Sequence, residues 1–250
     1  MELSIIIPAR DEVESVSRLA GEIDTAFADA SFAWECIWVD DGSRDGTLES
    51  LKALHSAAPE RHQYVSLAQS CGQSAALSVG IEHARGRIVG TLDADLQNDP
   101  AELPRLMHML EPGKADMVTG VRAGRRDDFV RRASSRIANS FRNAITGDRI
   151  QDVGCSLRVF YRRCVIDVPV FNGMHRFLPT LVRMNGYRVV EVPVGHRARR
   201  YGRTKYGVNN RLWRGIADCL AVRWMKARAV QPVITSTSLV RPHEERKHHA

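Results

Sequence analysis

The chain has 250 residues, enough for one large α/β domain or one domain with a small annex, and 44% of them are apolar, enough for a buried core. The net charge of +7 is uneven: residues 1–120 carry 9 basic against 20 acidic side chains, and residues 121–228 carry 24 against 7. The first stretch suits cation capture and the second suits phosphates or an anionic lipid surface, and no window reaches the ~18 consecutive apolar residues of a bilayer span, so any membrane contact is expected to be peripheral.

Strands and helices alternate through the first half. Leu3–Ala9 (LSIIIPA) reads as a buried strand closed by Pro8. Asp11–Ala28 has helical spacing, with Val13, Val16, Leu19, Ile23 and Phe27 on or near one face. Trp34–Asp40 is a second strand, Asp41–Thr47 a turn-and-cap segment, and a helix runs on to about Ala58. Gln63–Leu67 is a short strand, Ser74–Ala84 a helix, and Ile88–Asp93 a strand ending in the polar run DADLQNDP. Pro100 marks a helix start, where its missing donor is harmless. Met117–Val121 is a further strand. This alternation predicts a parallel sheet with helices on both faces.

Beyond Val121 the pattern loosens. A basic helix is predicted over Arg131–Ile145, a strand near Ser156–Tyr161, a short helix over Phe177–Asn185 and a strand over Arg188–Pro193. His196–Gly207 is an Arg/Gly/Lys loop. Asn210–Arg228 is an amphipathic helix, with Trp213, Ile216, Leu220 and Trp224 on one face and Arg211, Arg214 and Asp218 opposite. It reads either as a surface helix packed on the core or as an interfacial anchor. Gln231–Ala250 is polar and aperiodic, and is expected to be disordered. The expected organisation is one domain over 1–209 (halves 1–121 and 122–209), an amphipathic helix over 210–228 and a tail over 229–250. The five cysteines are scattered without metal-ligand or redox spacing, and no secretory pattern follows Met1, so a reduced cytoplasmic setting is expected.

In parallel α/β sheets ligands sit beyond the carboxyl ends of the strands. The polar clusters fall at those ends: Pro8–Glu12, Asp40–Thr47, Gln69–Ser74 and Asp93–Asp99. Asp93 and Asp95 follow a strand directly. With the Gln97 carbonyl they make a hard oxygen-donor set suited to Mg²⁺ or Mn²⁺, which neutralises charge on a departing diphosphate. The alternative is a helix N-cap cluster before Pro100. Asp40–Thr47 suits contact with a ribose or base, or a turn with Gly42 and Gly46 and a cap from Asp45 or Thr47.

SIIIPARDE (4–12), VDDGSRDGT (39–47), SCGQSAALSVG (70–80) and TLDADLQNDP (91–100) together resemble the family 2 inverting glycosyltransferases. RRASSRIAN (131–139), DVGCSLRVF (152–160) and RRYGRTKYG (199–207) resemble its polyprenyl-phosphate branch, which includes dolichol-phosphate mannose synthases. The resemblance covers about residues 3–228. It implies a GT-A fold, a divalent metal, a nucleotide-sugar donor and a polyprenyl-phosphate acceptor. It places Pro8, Arg10, Glu12 and Asp41 at the nucleotide, and Asp93, Asp95 and Gln97 at the metal. Arg122 falls at a phosphate, Arg132, Ser135 and Arg136 at the acceptor phosphate, and Asp152 as a base or orienting group. Arg199 and Lys205 close on the diphosphate. Arg10 and Asp11 replace the common Tyr-Asn, Gln69-Ser70 replaces a common Arg-Asn, and Thr204 replaces a common Ser while keeping the hydroxyl. No counterpart of the membrane-spanning helices of many bacterial relatives is expected within these 250 residues.

The expected activity is sugar transfer from a nucleotide diphosphate, UDP-sugar favoured and GDP-mannose possible, to a polyprenyl or dolichyl phosphate with inversion. The expected place is the cytoplasmic membrane face. One rival is a family 2 transferase with a soluble or polysaccharide acceptor. The other is a basic nucleic-acid-binding module, which the scarce aromatics and missing recognition motif disfavour.

Overall fold

The computed structural model describes residues 1–122, 139–197 and 209–230. Seven strands form one sheet: β1 (Leu3–Ala9), β2 (Trp34–Asp40), β3 (His62–Ser66), β4 (Ile88–Thr91), β5 (Met117–Arg122), β6 (Arg158–Tyr161) and β7 (Val189–Val194). The helices are α1 (Val13–Ala26), α2 (Thr47–Ala57), α3 (Gln73–His83), α4 (Glu102–His108), α5 (described over 139–146), α6 (Met174–Met184) and α7 (Asn209–Arg228).

The sheet order is β3-β2-β1-β4-β6-β5-β7. Strands β1 to β4 are parallel, with β1 central between β2 and β4. Every residue of β2 is buried, as is all of β1 except Pro8, so both run as near-continuous apolar segments covered on two sides. The chain steps from β1 outward to β2 and β3, then returns across them to β4. Right-handed crossovers therefore put α1 and α2 on one face and α3 on the other. The reversal of strand order between β1 and β4 opens a crevice at their carboxyl ends.

The five strands whose alternation predicts a parallel sheet run in one direction, and the reversed strand comes later. β6 runs antiparallel to both neighbours, pairing Thr91 with Arg158 on one side and Met117 with Phe160 on the other. Alternation of helix and strand does not encode direction here, because residues 123–157 are long enough to return the chain to either end of the sheet. The reversal has a consequence for the site. β6 begins where β4 ends, so the loop before it lies at the crevice, and β5, parallel to β7, ends there at Arg122.

Several boundaries shift for local reasons. α1 starts at Val13 rather than Asp11, because Asp11 adopts a left-handed backbone with φ of 48°. The N-cap of α2 is Gly46, with φ of 92°, so neither Asp45 nor Thr47 is the cap. Asp45 instead accepts bonds from the Val13 and Thr47 amides and the Thr47 hydroxyl, tying the start of α1 to that of α2. Those bonds outweigh burial and hold its carboxyl below the usual range. α4 starts at Glu102, two residues past Pro100, with Asp99 accepting from the Ala101 amide. α6 begins at Met174, three residues before Phe177.

α7 buries Cys219 and Val222 and turns Trp213, Leu220 and Trp224 outward, at 73%, 54% and 64% exposure, with Ile216 half-buried. Asp218 faces the N-terminus of α6, where a carboxylate is favourable. Arg223 and Lys226 donate to the carbonyls of Ile145, Thr146 and Gly147, closing the C-terminus of α5. Among the described residues no helix is long and apolar enough to cross a membrane. The expected basic helix before residue 139 and the tail beyond 230 lie outside the described residues.

Candidate active site

The carboxyl end of β4 is tied to the loop before β6. The Thr91 hydroxyl donates to the Ser156 carbonyl at 2.5 Å, and the Asn98 amide donates to the Ser156 hydroxyl at 2.7 Å. Between these ties sits the turn Asp93–Gln97. Asp93 Oδ1 accepts from Gln73 Nε2 at 2.7 Å, and Asp95 Oδ1 accepts from the Gln97 amide at 3.2 Å. Leu96 is 3% exposed and adopts φ of 62°, a conformation costing a non-glycine residue about 1–2 kcal/mol. Burial of its side chain offsets that strain and fixes the direction of both aspartates. The turn is anchored again where Arg197 N donates to the Gln97 carbonyl at 2.8 Å, with the Arg197 guanidinium on Asp99 and Glu22 at 2.5 Å each.

Asp93 is pushed up to about 6, first by burial and then by the charge of Asp95, against the pull of Ser156, Arg158 and Arg122. Two carboxylates pressed together in this way, with only hard oxygen donors on the turn, fit a bound divalent cation. Among the described residues no third His, Cys, Asp or Glu joins them.

A second cluster lies beyond β1 and β2. Asp41 is 4% exposed, and its oxygens accept from the Ser70 hydroxyl (2.8 Å) and the amides of Cys71 (2.6 Å) and Gly72 (3.0 and 3.1 Å). Arg10 Nη1 donates to the same Ser70 hydroxyl at 2.7 Å. Two of the departures noted in the sequence, Arg10 and Ser70, are therefore partners across 60 positions. Gly42 permits this approach: with φ of 65°, a Cβ there would lie 2.7 Å from the Ser70 nitrogen. Asp40 accepts from Ser43 and Ser66, and the Glu12 amide donates to Thr47. Pro8 and Asp93 line a shared cavity of about 170 Å³ in the crevice.

Asp152 and Arg122 form a bidentate pair, Nε to Oδ2 and Nη2 to Oδ1 both at 2.7 Å, with each side chain 13% exposed. The same carboxylate accepts from the amides of Arg122 and Gly154 at 3.1 Å. So engaged, the Asp152 carboxylate holds the Arg122 guanidinium in place.

The cavity wall also contains residues that sequence reading did not single out: Gln73, Ser156, Arg158, His175 and Arg176. Arg158 is 3% exposed, donates to the carbonyls of His175 and Val153, and leaves its Nε without a partner among the described residues. Gln73 and Arg158 lie within stretches that carry the family resemblance. Nothing in the sequence marks His175, which sits in the first turn of an otherwise ordinary amphipathic helix. Arg132, Ser135, Arg136, Arg199 and Lys205 lie outside the described residues.

The comparisons agree with this architecture. A solved glucosyl-3-phosphoglycerate synthase from Mycobacterium tuberculosis, in complex with Mn²⁺, UDP and phosphoglyceric acid, superposes with a TM-score of 0.66 at 21% identity, covering 92% of this chain and 80% of that one. A mannosyltransferase from Pyrobaculum calidifontis, in complex with GDP-Man and Mn²⁺, gives 0.61 at 20% identity, covering 92% and 65%. Both share the fold, GT-A. A dodecaprenyl-phosphate galacturonate synthase of Rhizobium johnstonii is 36% identical over 235 residues, 93% of this chain and 69% of the relative. An undecaprenyl-phosphate 4-deoxy-4-formamido-L-arabinose transferase of Salmonella choleraesuis is 37% identical over 206 residues, 82% of this chain and 62% of the relative. The chain thus spans about two thirds of the length of these curated relatives. The family model for Glycosyl transferase family 2 matches residues 4–168, well over half the chain, and the chain belongs to that family.

Proposed function

We propose that the chain transfers a sugar from a nucleotide diphosphate to a polyprenyl phosphate, with inversion at the anomeric carbon. The observation that carries this reading is the convergence of the Asp93–Gln97 turn, the Arg122–Asp152 pair and a small cavity on one crevice. The relatives named for polyprenyl-phosphate sugar transfer support the acceptor class.

In this reading Pro8, Arg10, Glu12 and Asp41 border the nucleotide, with Asp41 acting through the Ser70–Gly72 turn it holds. Asp93, Asp95 and Gln97 would hold Mg²⁺ or Mn²⁺, which supplies charge neutralisation on the diphosphate. An acceptor phosphate oxygen bonds to the anomeric carbon while the bond to the nucleotide oxygen breaks, and the diphosphate leaves with the electron pair. A phosphate monoester has its second pKa near ~6, so the nucleophile is already ionised at neutral pH and needs no base. Asp152 accordingly orients Arg122 toward a phosphate. Arg132, Ser135 and Arg136 are assigned to the acceptor phosphate, and Arg199 and Lys205 to the departing diphosphate.

The outward face of α7 belongs to the same proposal. Trp213, Leu220 and Trp224 form an apolar stripe with the exposed Arg228 nearby, a composition suited to the headgroup zone of an anionic bilayer on the cytoplasmic side. Flotation with vesicles containing anionic lipid tests it: replacing all three apolar residues with serine should abolish binding, and unchanged flotation would remove the stripe from the proposal.

The activity is tested by mass analysis of products from UDP- and GDP-sugars with Mn²⁺ or Mg²⁺ and a short polyprenyl phosphate. Product on a water-soluble acceptor alone would reject the lipid acceptor.

A further inference from the structure

The first turn of α6 closes one side of the cavity, and a single hydroxyl pins it. Ser74, in the first turn of α3, is 4% exposed. Its Oγ lies 3.1 Å from the Gly173 amide nitrogen, 3.4 Å from that of His175 and 2.8 Å from His175 Nδ1. The bookkeeping of protons leaves one solution. Both backbone groups can only donate, so they occupy the two lone pairs of the hydroxyl. The hydroxyl proton then needs an acceptor, and Nδ1 is the one within reach among the described residues. Nδ1 is therefore unprotonated, and in the neutral ring the proton sits on Nε2. That nitrogen has no hydrogen-bond partner among the described residues, and His175 lines the cavity with Asp93.

We infer that His175 is a fixed, neutral Nε2–H donor that reads an oxygen of the transferred sugar, and that Ser74 is the positioning residue that sets its tautomer. The inference rests on the donor chemistry proposed above. The surroundings agree with it. Burial, then the cations Arg176 and Arg158, push His175 down to about 3. The ring thus stays uncharged across the working pH range. A neutral donor can engage a hydroxyl, ring or carboxylate oxygen without itself losing the hydration of a charge. A buried donor left unpaired by a sugar that lacks the matching oxygen would penalise that sugar, which makes the position a specificity determinant.

Two measurements test this. The first is ¹⁵N NMR of protein labelled at its nine histidines, with the His175 resonances identified by difference against His175→Gln. The expected result is an unprotonated Nδ1 and a protonated Nε2 from pH 5 to 8, with Ser74→Ala letting the ring mix tautomers. A protonated Nδ1, or a midpoint near the ordinary 6.5, would overturn the inference. The second is calorimetric binding, with Mn²⁺, of UDP-galacturonate and GDP-mannose, each against its bare nucleoside diphosphate. His175→Ala should weaken whichever nucleotide-sugar binds by about five- to tenfold and leave the bare diphosphate unchanged, while His175→Gln, which restores a donor, should recover most of the loss. Equal weakening of both ligands, or of neither, overturns the sugar-reading role alone. A wild-type chain that binds no nucleotide or nucleotide-sugar overturns the proposed function and this inference together.

Discussion

Replacing Asp152 with asparagine isolates the Arg122 pair, because the shape is kept and the charge is lost. In the native chain each carboxylate oxygen accepts two N–H groups: Oδ1 from Arg122 Nη2 and Gly154, Oδ2 from Arg122 Nε and its amide. Whichever way an asparagine amide turns, one of its ends is a donor, so two N–H groups lose their acceptor. With both side chains 13% exposed, water reaches the guanidinium only in part. Charged hydrogen bonds of about 1.5–3 kcal/mol and the cost of stranding a largely buried cation put the loss at about 2–4 kcal/mol. For a chain of this size that corresponds to a fall in Tm of roughly 6–12 °C. The assay is thermal unfolding of the wild type, Asp152→Asn, Arg122→Gln and the double variant, with turnover measured at 20 °C. The double variant should be less destabilised than the sum of the singles, by a coupling of about 1–3 kcal/mol. Asp152→Asn should keep measurable turnover, because the acceptor phosphate needs no base. A Tm within a degree of wild type, or complete loss of turnover with folding and acceptor binding intact, would refute the reasoning.

Asp93→Asn or Asp95→Asn should lower product formation by about 10²-fold or more and weaken Mn²⁺ binding measured by titration, since one of the two carboxylates on the turn is lost. Gly120→Ala should cost about 1–3 kcal/mol in urea unfolding: its Cβ would fall 2.6 Å from Val194 Cγ2 and 2.9 Å from Cys155 Sγ, where β5 meets β7. Asp148 is held below the usual carboxyl range because the Thr180 hydroxyl, the Arg149 amide and Arg183 outweigh the upward push of burial. A depressed folded pKa stabilises fully above the unfolded value near ~3.9 and fades as pH falls through the folded one. Asp148→Asn should therefore lower Tm near pH 7, by about 2 kcal/mol of stability, with the gap to wild type narrowing below about pH 4.

The strands with unbroken apolar runs were legible from the sequence to the residue. Leu3–Ala9 and Trp34–Asp40 are buried on both faces and have no alternative placement. The carboxylates at strand ends were legible too, because a polar residue straight after a buried run lies where the sheet meets solvent. Short-range order of this kind is written in the spacing of neighbouring residues. The direction of β6 was not, since the long segment before it permits either sense. Nor were the pairings that build the site: Arg10 with Ser70 across 60 positions, Arg122 with Asp152 across 30, and Ser74 with His175 across 101. Such contacts arise only when separate loops arrive at one sheet edge, and each side chain alone is compatible with many partners. The sequence alone therefore determined the elements, the family and the acidic turn at the crevice. The tertiary structure decided which charges neutralise one another, and that a histidine with no local signal faces the cavity as a donor.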